Sequence, residues 1–568
     1  MTVPAPAAHN RSEPTFADLF TPKLVTVFRE GYGLAGLRAD ALAGLTVAIV
    51  ALPLSMAIAI GAGLGPERGL YTAIVGGFLI SLLGGSRFQI GGPAAAFIGL
   101  VAVTVERHGY DGLVLATVMA GLILLVIGFL RLGTYIKYIP YPVTVGFTAG
   151  IAVIILISQL RDLFGLKLVS EPADTLPKLK AIWAAVATIN PVTVGLSVVA
   201  IAAILVVRRL RPNWPALLIS VAGATMIAAL FGLDVETIGS RFGAIQSGLP
   251  APSLPPFSLQ KIQAVLPDAF AIAILGAIES LLSAVVADSM SGRRHRSNSE
   301  LVAQGVGNIA AAACGGMPVT GTIARTATNI RAGARGPVAG ILHSLYLLIF
   351  VLVAMPLVAY IPLAALAGVL VVVAWAMADK AEFGLLLRTS RADALVLLST
   401  FLLTVFVDLL TGIGVGVLLG SFLFMHRMAE AIDVEGAKLV REDVADSANG
   451  RPAYEGLSAD DVMVYRISGA FFFGATARVN LVLDRVVHPP RVFILDFSEV
   501  PFIDITASAA LERFVKRLHK AGTEVVFAGV RPHVRRAFGL PGLRGRSVRY
   551  VSSVEKALAA ARGKRAGA

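Results

Sequence analysis

Cysteine is nearly absent from this sequence, and charged residues are scarce. Cys314 is the single cysteine among 568 residues, which excludes an internal disulfide and a zinc cluster built on cysteines. Charged residues make up 15% of the chain and hydrophobic residues 56%, and the mean hydropathy is +0.78. So little charge cannot cover the surface of a soluble protein of this size. We therefore predict a polytopic membrane protein with room for one additional soluble domain.

The amino-terminal region also lacks a targeting pattern. Residues 1–37 contain no basic stretch followed by an apolar run, so we predict no cleavable signal peptide and a cytoplasmic amino terminus. The net charge is +13, but Lys and Arg are concentrated in short loops between apolar segments and at the carboxyl terminus. This distribution is typical of the cytoplasmic side of a membrane protein. The basic charge therefore indicates a lipid bilayer and its topology, and no nucleic-acid partner is expected.

Fourteen apolar segments occupy the first three quarters of the chain. They span roughly residues 40–62, 69–85, 92–105, 112–130, 142–160, 191–207, 214–231, 268–288, 300–316, 320–331, 338–354, 361–377, 393–408 and 411–426. With fourteen crossings, the loops richest in Lys and Arg lie on the cytoplasmic side and both termini are cytoplasmic. The predicted domains are a cytoplasmic amino-terminal region (1–37), a transmembrane domain (38–426), a charged linker (427–457) and a cytoplasmic soluble domain (458–568).

A weak internal repeat relates the two halves of the transmembrane domain. Gly91-Gly92-Pro93 opens the short third segment, and Gly316-Met317-Pro318 opens the short tenth segment. Seven segments in each half would give the second half the inverted orientation, because seven is odd. Paired segments interrupted by Gly and Pro are typical of a transporter whose binding site lies near the middle of the membrane, between two half-helix amino termini. We therefore predict an inverted repeat of seven plus seven segments.

Glu279 lies in the middle of the eighth apolar segment. A charge at the centre of a bilayer costs about 2.5–3.5 kcal/mol, so an acidic residue there usually faces a cavity and marks an ion or proton path. Ser283, four residues further on, shares its helix face. We predict that Glu279 and Ser283 couple transport to a proton or to bound sodium; a structural pairing of Glu279 with a cation is the alternative. His343 is predicted to be a packed, hydrogen-bonded histidine.

The two short segments together favour an anionic ligand. Each amino terminus would carry about half a positive charge and free backbone N–H groups, and Arg325 adds a full charge one turn into the tenth segment. Arg325 could instead extend to the membrane interface or pair with Glu279, and threonine hydroxyls there could bond their own backbone. The predicted substrate-binding residues of these segments are Gly92, Pro93, Ala94, Thr320, Gly321, Thr322, Ala324 and Arg325.

Strand and helix patterns alternate in the soluble domain. Residues 462–467, 491–497 and 524–528 have the pattern of strands, and 506–520 has helical spacing. This order predicts a small α/β domain. The sequence of this domain contains no glycine-rich phosphate loop, no paired metal ligands and no nucleophile–base pair. We therefore predict binding or regulation there, no enzymatic activity and no cofactor.

Several motifs resemble the SulP family of anion transporters, solute carrier family 26. Residues 52–59 resemble the family's first-helix signature, 298–305 and 323–327 resemble its later signatures, and 496–500 with 503–507 resemble a STAS domain. The resemblance implies an α-helical polytopic membrane protein with a carboxyl-terminal α/β STAS domain. Segments 1–4 and 8–11 would form a core domain, the others a gate domain, and the anion would lie between segments 3 and 10. A homodimer and a cytoplasmic protein partner of the STAS domain are also expected.

Leu54 and Ile58 distinguish this chain from many members of the family, which have Gln and an aromatic residue at these positions. The apolar pair is similar to the bacterial C4-dicarboxylic acid transporter branch, which implies proton-coupled uptake of succinate, fumarate or aspartate with both residues near the substrate. In the sodium–bicarbonate branch, the positions of Glu279 and Ser283 help to bind sodium, so sodium coupling stays open. In the STAS loop, Thr506 is the one candidate phosphorylation site.

The combined prediction is a proton-coupled C4-dicarboxylate symporter of a bacterial inner membrane that works by an elevator-like movement. The alternatives are a sulfate transporter, a sodium-coupled bicarbonate transporter and an uncoupled anion channel. A membrane-bound signalling protein, in which the STAS domain is the working part, is a further alternative.

Overall fold

The structure of the protein is a computed structural model with two compact units, Met1–Val417 and Leu418–Ala568. It describes residues 16–430 except 136–138, 170, 171, 213, 244–247, 254 and 256, and then residues 433–437, 462–472, 490–538, 543 and 548–563.

Each of the fourteen predicted apolar segments contains helical residues. The helices are α1 (Phe16–Phe20), α2 (Lys23–Arg29), α3 (Leu34–Gly61), α4 (Pro66–Tyr71), α5 (Gly77–Leu83), α6 (Ile98–Phe129), α7 (Tyr141–Phe164), α8 (Thr175–Ala184), α9 (Pro191–Leu210), α10 (Ala216–Leu230), α11 (Ile238–Phe242), α12 (Leu259–Ser291), α13 (Ser297–Ala313), α14 (Ile323–Arg331), α15 (Val338–Val358), α16 (Leu363–Met377), α17 (Lys380–Thr389), α18 (Arg391–Phe406) and α19 (Leu409–Glu430). A π-helical turn, Thr72–Gly76, joins α4 to α5. Within the described residues, eight helices are long and apolar enough to cross a membrane by themselves.

The third and fourth predicted segments share α6, and a glycine separates them. Gly109 has φ 67° and ψ −178° inside this helix. Residues with a Cβ rarely adopt this backbone conformation. The part before Gly109 is therefore a short half-helix, preceded by a 3-10 turn at Ala95–Phe97.

Both short segments are broken helices, as predicted. A two-residue strand precedes each of them: β1 (Gly91–Gly92) lies before the 3-10 turn and β2 (Thr320–Gly321) before α14, and the two strands pair antiparallel. The helical residues consequently begin at Ala95 and Ile323, three residues later than the predicted starts. The backbone before them is extended because the paired strands satisfy N–H and C=O groups that have no water inside a membrane.

The proposed equivalence of the two glycine–proline triplets is wrong in detail. Gly91 and Gly92 form β1 and Pro93 follows it, whereas Gly316 and Pro318 both precede β2. Pro93 therefore lies after its strand and Pro318 before its strand. The paired strands, and not the prolines, mark corresponding points in the two halves.

The helices of the first unit pack in two groups. In one group α3 packs against α15, and α6 packs against α12 and α13; in the other, α7 packs against α16 and α18, and α9 against α10 and α16. The first group contains predicted segments 1–4 and 8–11, and the second contains segments from the rest. This division agrees with the core and gate domains that the family resemblance implies.

The second unit has a five-stranded sheet. Its elements are β3 (Asp433–Ala437), β4 (Val462–Ser468), β5 (Val492–Asp496), α20 (Ile505–Lys520), β6 (Glu524–Ala528), α21 (Pro532–Ala537), β7 (Arg549–Val551) and α22 (Val554–Gly563). The strand order is β3-β4-β5-β6-β7; β3 is antiparallel to β4 and the other neighbours are parallel. The predicted strands and helix are confirmed. The prediction of a linker over 427–457 is wrong at 433–437, which pair with β4; residues 438–457 lie outside the described residues.

Close helix packing in the first unit depends on facing glycines. A Cβ added to Gly305 of α13 would lie 2.7 Å from the carbonyl oxygen of Gly121 of α6, and a Cβ on Gly121 would meet the carbonyl oxygen of Gly305 at the same distance. Small residues of this kind allow two membrane helices to approach closely.

We predict that Gly305→Ala lowers the stability of the purified protein, because the new methyl group overpacks the α6–α13 contact at a cost of about 1–3 kcal/mol. Gly195→Ala on α9 is the matched control, since an added Cβ there has nothing within 4 Å. Thermal unfolding in detergent measures both. Equal unfolding temperatures for the two variants would contradict the predicted packing.

Candidate functional site

The strand pair holds the amino termini of the two half-helices side by side. Gly92 of β1 lies opposite Thr320 of β2. The residues directly before the helical turns, Ala94 and Thr322, have extended backbones, and neither caps its helix with its side chain. First-turn N–H groups that lack a capping side chain are suited to an anion, which the helix dipole also favours.

Arg325 is buried between these two helix ends. Its side chain is in the third position of α14 and the residue is 1% exposed. Nη2 donates to Ser55 Oγ at 3.0 Å and to the carbonyl oxygen of Pro93 at 3.4 Å. Nε and Nη1 have no hydrogen-bond partner within the described residues. The guanidinium thus keeps two unused donors, whose burial is costly unless a ligand accepts from them.

Gly92 is required by the position of that guanidinium. A Cβ at residue 92 would collide with Arg325 Nη1. The absence of a side chain in β1 therefore lets Arg325 reach across from α14 to Pro93, just before the other half-helix. One glycine and one arginine together bring a positive charge to both helix ends.

Glu279 is a buried carboxylate on the neighbouring helix α12. The residue is 7% exposed, and within the described residues its side chain has no hydrogen-bond or ion-pair partner. Positions 276, 279 and 283 share one face of the helix. On that face, Gly276 O accepts from Thr320 Oγ1 at 2.9 Å and Ser283 Oγ donates to Thr326 Oγ1 at 3.1 Å. The face that carries Glu279 therefore packs against β2 and α14, yet Glu279 and Arg325 form no salt bridge.

Leu54 and Ile58 lie on the helix that supports Arg325. Both are buried in the apolar interior of the first unit, in the same cluster as Ala94. Ser55, next to Leu54 in α3, is the residue whose hydroxyl accepts from the guanidinium. The predicted apolar residues of the first segment thus lie on the same helix as the residue that binds the guanidinium.

The hydroxyl groups predicted to line the site already have protein partners. Thr320 donates to α12 as described, and Thr322 Oγ1 donates to the carbonyl oxygen of Ile90 at 3.3 Å. Ala324 is exposed and Thr322 is half-buried, whereas Gly321 is covered by the side chain of Gln89. These threonines hold the strand pair in place, and the donors left for a ligand are backbone N–H groups and Arg325.

Sequence reasoning missed a buried hydrogen-bond network behind β2. Glu300, 0% exposed, accepts hydrogen bonds at Oε1 from Gln89 Nε2 (2.9 Å) and Gln304 Nε2 (3.0 Å), and at Oε2 from the backbone N–H of Ser86 (3.0 Å). Gln89 Nε2 also donates to Ser280 Oγ at 2.7 Å. The available signal was a carboxylate and an amide four residues apart at the start of an apolar segment, which place both on one helix face.

Two further predictions from the sequence concern His343 and Thr506. His343 is fully buried, as predicted, but neither ring nitrogen has a hydrogen-bond partner within the described residues, so the expected hydrogen bonding is wrong. Thr506 is exposed in the first turn of α20 in the second unit. Among the described residues, no group of three or more His, Cys, Asp or Glu is placed to hold a metal ion.

Two family profiles match the chain. The profile described as the sulfate permease family matches residues 37–400, and that of the STAS domain matches residues 457–557. Together they cover most of the helical part and most of the α/β part.

Several known proteins are similar over most of the chain. The putative sulfate transporter YvdB of Bacillus subtilis is 37% identical over 90% of this chain and 95% of its own. The bicarbonate transporter BicA of Synechocystis is 33% identical over 88% of this chain and 89% of its own. The solved structure of murine solute carrier 26 family member A9 has a TM-score of 0.83 over 98% of this chain and 97% of its own, with 19% identity. That structure therefore supports the fold alone.

We predict that Gly92→Ala weakens anion uptake about tenfold or more, because its methyl group displaces Arg325 and removes at least one charged hydrogen bond to the anion. Gly414→Ala is the control, since an added Cβ at that helical glycine has nothing within 4 Å. Initial uptake rates in proteoliposomes, measured over a range of anion concentrations, give the comparison. Unchanged uptake by Gly92→Ala would contradict the assigned position of Arg325.

Proposed function

The chain belongs to the sulfate permease family, and from that premise we propose that it imports C4-dicarboxylates together with protons. Membership makes it a membrane-embedded anion transporter with a carboxyl-terminal STAS domain, and not an enzyme. The preferred anion and the coupling ion are the parts proposed here, and they rest on the candidate site.

The single observation that carries the proposal is the buried, partly unused guanidinium between two helix amino termini. Arg325 contributes one positive charge, and the two helix ends contribute about half a charge each. A site with about two positive charges suits a divalent anion. Succinate, fumarate and sulfate are divalent at neutral pH, whereas bicarbonate is monovalent.

Two buried apolar residues near Ser55 in α3 support an anion with a carbon skeleton. Leu54 and Ile58 flank Ser55, the residue that holds the guanidinium. The methylene or vinyl carbons of a C4-dicarboxylate gain from contact with such side chains. Sulfate has no apolar part, so contact with the same apolar side chains would remove water from its oxygens at a cost in free energy. This contrast supports a dicarboxylate over sulfate.

Glu279 is the proposed coupling residue. A buried carboxylate without a partner is costly when charged and much less so when protonated. Proton binding to Glu279 would therefore accompany the movement of the loaded site across the membrane. Release of the proton on the other side would allow the site to return. An elevator-like movement of the helix group that contains α3, α6, α12 and α14 against the second group fits this scheme.

Sodium-coupled bicarbonate transport is the second candidate, and the similarity to a protein named as a bicarbonate transporter favours it. Glu279 and Ser283 would then contribute oxygen ligands to sodium. Sulfate transport is supported in the same way by the name of the Bacillus relative. A homodimer in a bacterial inner membrane, with both termini cytoplasmic and a protein partner for the STAS domain, completes the proposal.

Uptake of labelled succinate, sulfate and bicarbonate into proteoliposomes separates these candidates. The experiment imposes an inward proton gradient in one set of vesicles and an inward sodium gradient in another. We expect succinate to accumulate only with the proton gradient. Sulfate or bicarbonate uptake without succinate uptake would overturn the substrate assignment, and accumulation driven by sodium alone would overturn the coupling ion.

We predict that Glu279→Gln abolishes gradient-driven accumulation but retains anion binding, because glutamine keeps the shape of the side chain and cannot exchange a proton. Asp408→Asn is the control: Asp408 accepts from the backbone N–H of Thr411 at the start of α19, and asparagine caps helices equally well. Accumulation assays and equilibrium binding of the transported anion measure the two effects. Normal accumulation by Glu279→Gln would remove it from the coupling role.

A further inference from the structure

The network around Glu300 connects three separate elements next to the candidate site. Glu300 and Gln304 belong to α13, Ser280 belongs to α12, and Gln89 lies in the extended segment that leads into β1. Hydrogen bonds of 2.7–3.0 Å join Gln89 to Ser280 and Gln89 and Gln304 to the Glu300 carboxylate. These contacts are independent of Arg325.

Gln89 brings this network into contact with the strand pair. A Cβ added to Gly321 of β2 would collide with Nε2 and Cδ of Gln89, so the amide lies directly against that residue. Gly321 is followed by Thr322, the residue before α14. The orientation of the Gln89 side chain therefore supports the backbone from which α14 and Arg325 begin.

Ser280 extends the same network toward Glu279, its neighbour in α12. The Ser280 hydroxyl accepts from Gln89 and lies 3.4 Å from Glu300 Oε1. A change at Glu300 thus reaches β2 through Gln89 and reaches α12 beside Glu279 through Ser280.

We propose that Glu300 is a positioning residue for anion binding, which orients Gln89 and through it fixes β2 and the amino terminus of α14. This inference rests on the proposed anion site between the two helix ends. Glu300 does not touch the anion; it acts through the side chain of Gln89.

A carboxylate is needed at residue 300 because its side-chain and backbone partners are donors. The Ser86 N–H and the side-chain amides of Gln89 and Gln304 all donate hydrogen bonds to the Glu300 carboxylate. A glutamine there would replace one acceptor oxygen by an NH2 group. The Oε1 atoms of Gln89 and Gln304 have no partner within the described residues, so Gln89 would turn its oxygen toward the new NH2 group. Gln89 would then no longer donate to Ser280 Oγ, and the Ser280 hydroxyl would have to donate to Gln89.

Because Glu300 is fully buried, its charge is expected to have a role other than packing. Among the described residues it forms no ion pair, and a buried carboxylate held only by neutral donors is costly to keep. Apolar side chains of similar volume would stabilise the helix contact at lower cost. A role in fixing the site accounts for that cost.

The test exchanges the acid and the amide between two positions. Variants Glu300→Gln, Gln89→Glu and the double exchange are reconstituted as full-length protein, and uptake is measured with whichever of labelled succinate, sulfate and bicarbonate the parent transports. Glu300→Gln misorients Gln89, and Gln89→Glu places two carboxylates within hydrogen-bond distance of each other. The double exchange restores one carboxylate opposite one amide.

We expect each single variant to raise the KM for the anion about tenfold, the effect of losing one hydrogen bond in the site, while the maximal rate per folded transporter changes much less. The double exchange should bring the KM back toward that of the parent. Gln304→Met is the matched control: it removes another bond to Glu300 Oε1, and within the described residues no hydrogen bond joins the Gln304 side chain to β2, so its KM should stay near that of the parent.

An unchanged KM in the single variants, or a double exchange no better than the worse single variant, would overturn the proposal. Equal KM increases in Gln304→Met and Glu300→Gln would show a general structural role and would also overturn it. If thermal unfolding shows that Glu300→Gln does not fold, Gln89→Met replaces it in the test. That variant removes the Gln89 amide and leaves Glu300 in place. Arg325→Gln in the same assay tests the proposed site separately: if its uptake equals that of the parent, the site fails regardless of Glu300.

Discussion

A guanidinium buried within a membrane-spanning helical unit, with donors left over, is the constraint on which the site depends. Nη2 of Arg325 donates to Ser55 and Pro93, while Nε and Nη1 have no partner in the part of the chain that the structure describes. Such a group is tolerated only where it has a partner for part of the time. Gly92 leaves room for it, the β1–β2 pair brings two helix amino termini beside it, and both features raise the local affinity for an anion.

Among the described residues, Arg325 and Glu279 form no salt bridge, and the proposal depends on this as well. A salt bridge between them would neutralise both groups and leave no charge for an anion or a proton. Instead, threonines of β2 and α14 join the two elements to α12, through Thr320 and Thr326. Within the described residues neither charged group has an ion-pair partner, which the proposed binding of an anion and a coupling ion requires.

The sequence was sufficient to predict the helices, because fourteen apolar runs in one chain leave few other folds, and the two short runs with Gly and Pro indicated the broken helices. Arg325 and Glu279 stood out as charges in apolar segments. The β1–β2 pairing could not be predicted, since two-residue strands leave no periodic pattern, and the prolines suggested a false equivalence. Glu300 was missed because its main partner, Gln89, is 211 residues away in the sequence, and a carboxylate at the start of a segment is typical of a membrane interface.

The most direct test of the central claim is an experimental structure of the purified transporter with its transported anion bound. We expect an anion within about 2.7–3.2 Å of Arg325 Nε or Nη1, also contacting N–H groups at the start of α14 or of the turn Ala95–Phe97. An anion bound elsewhere, with Nε and Nη1 of Arg325 still unused, would contradict it.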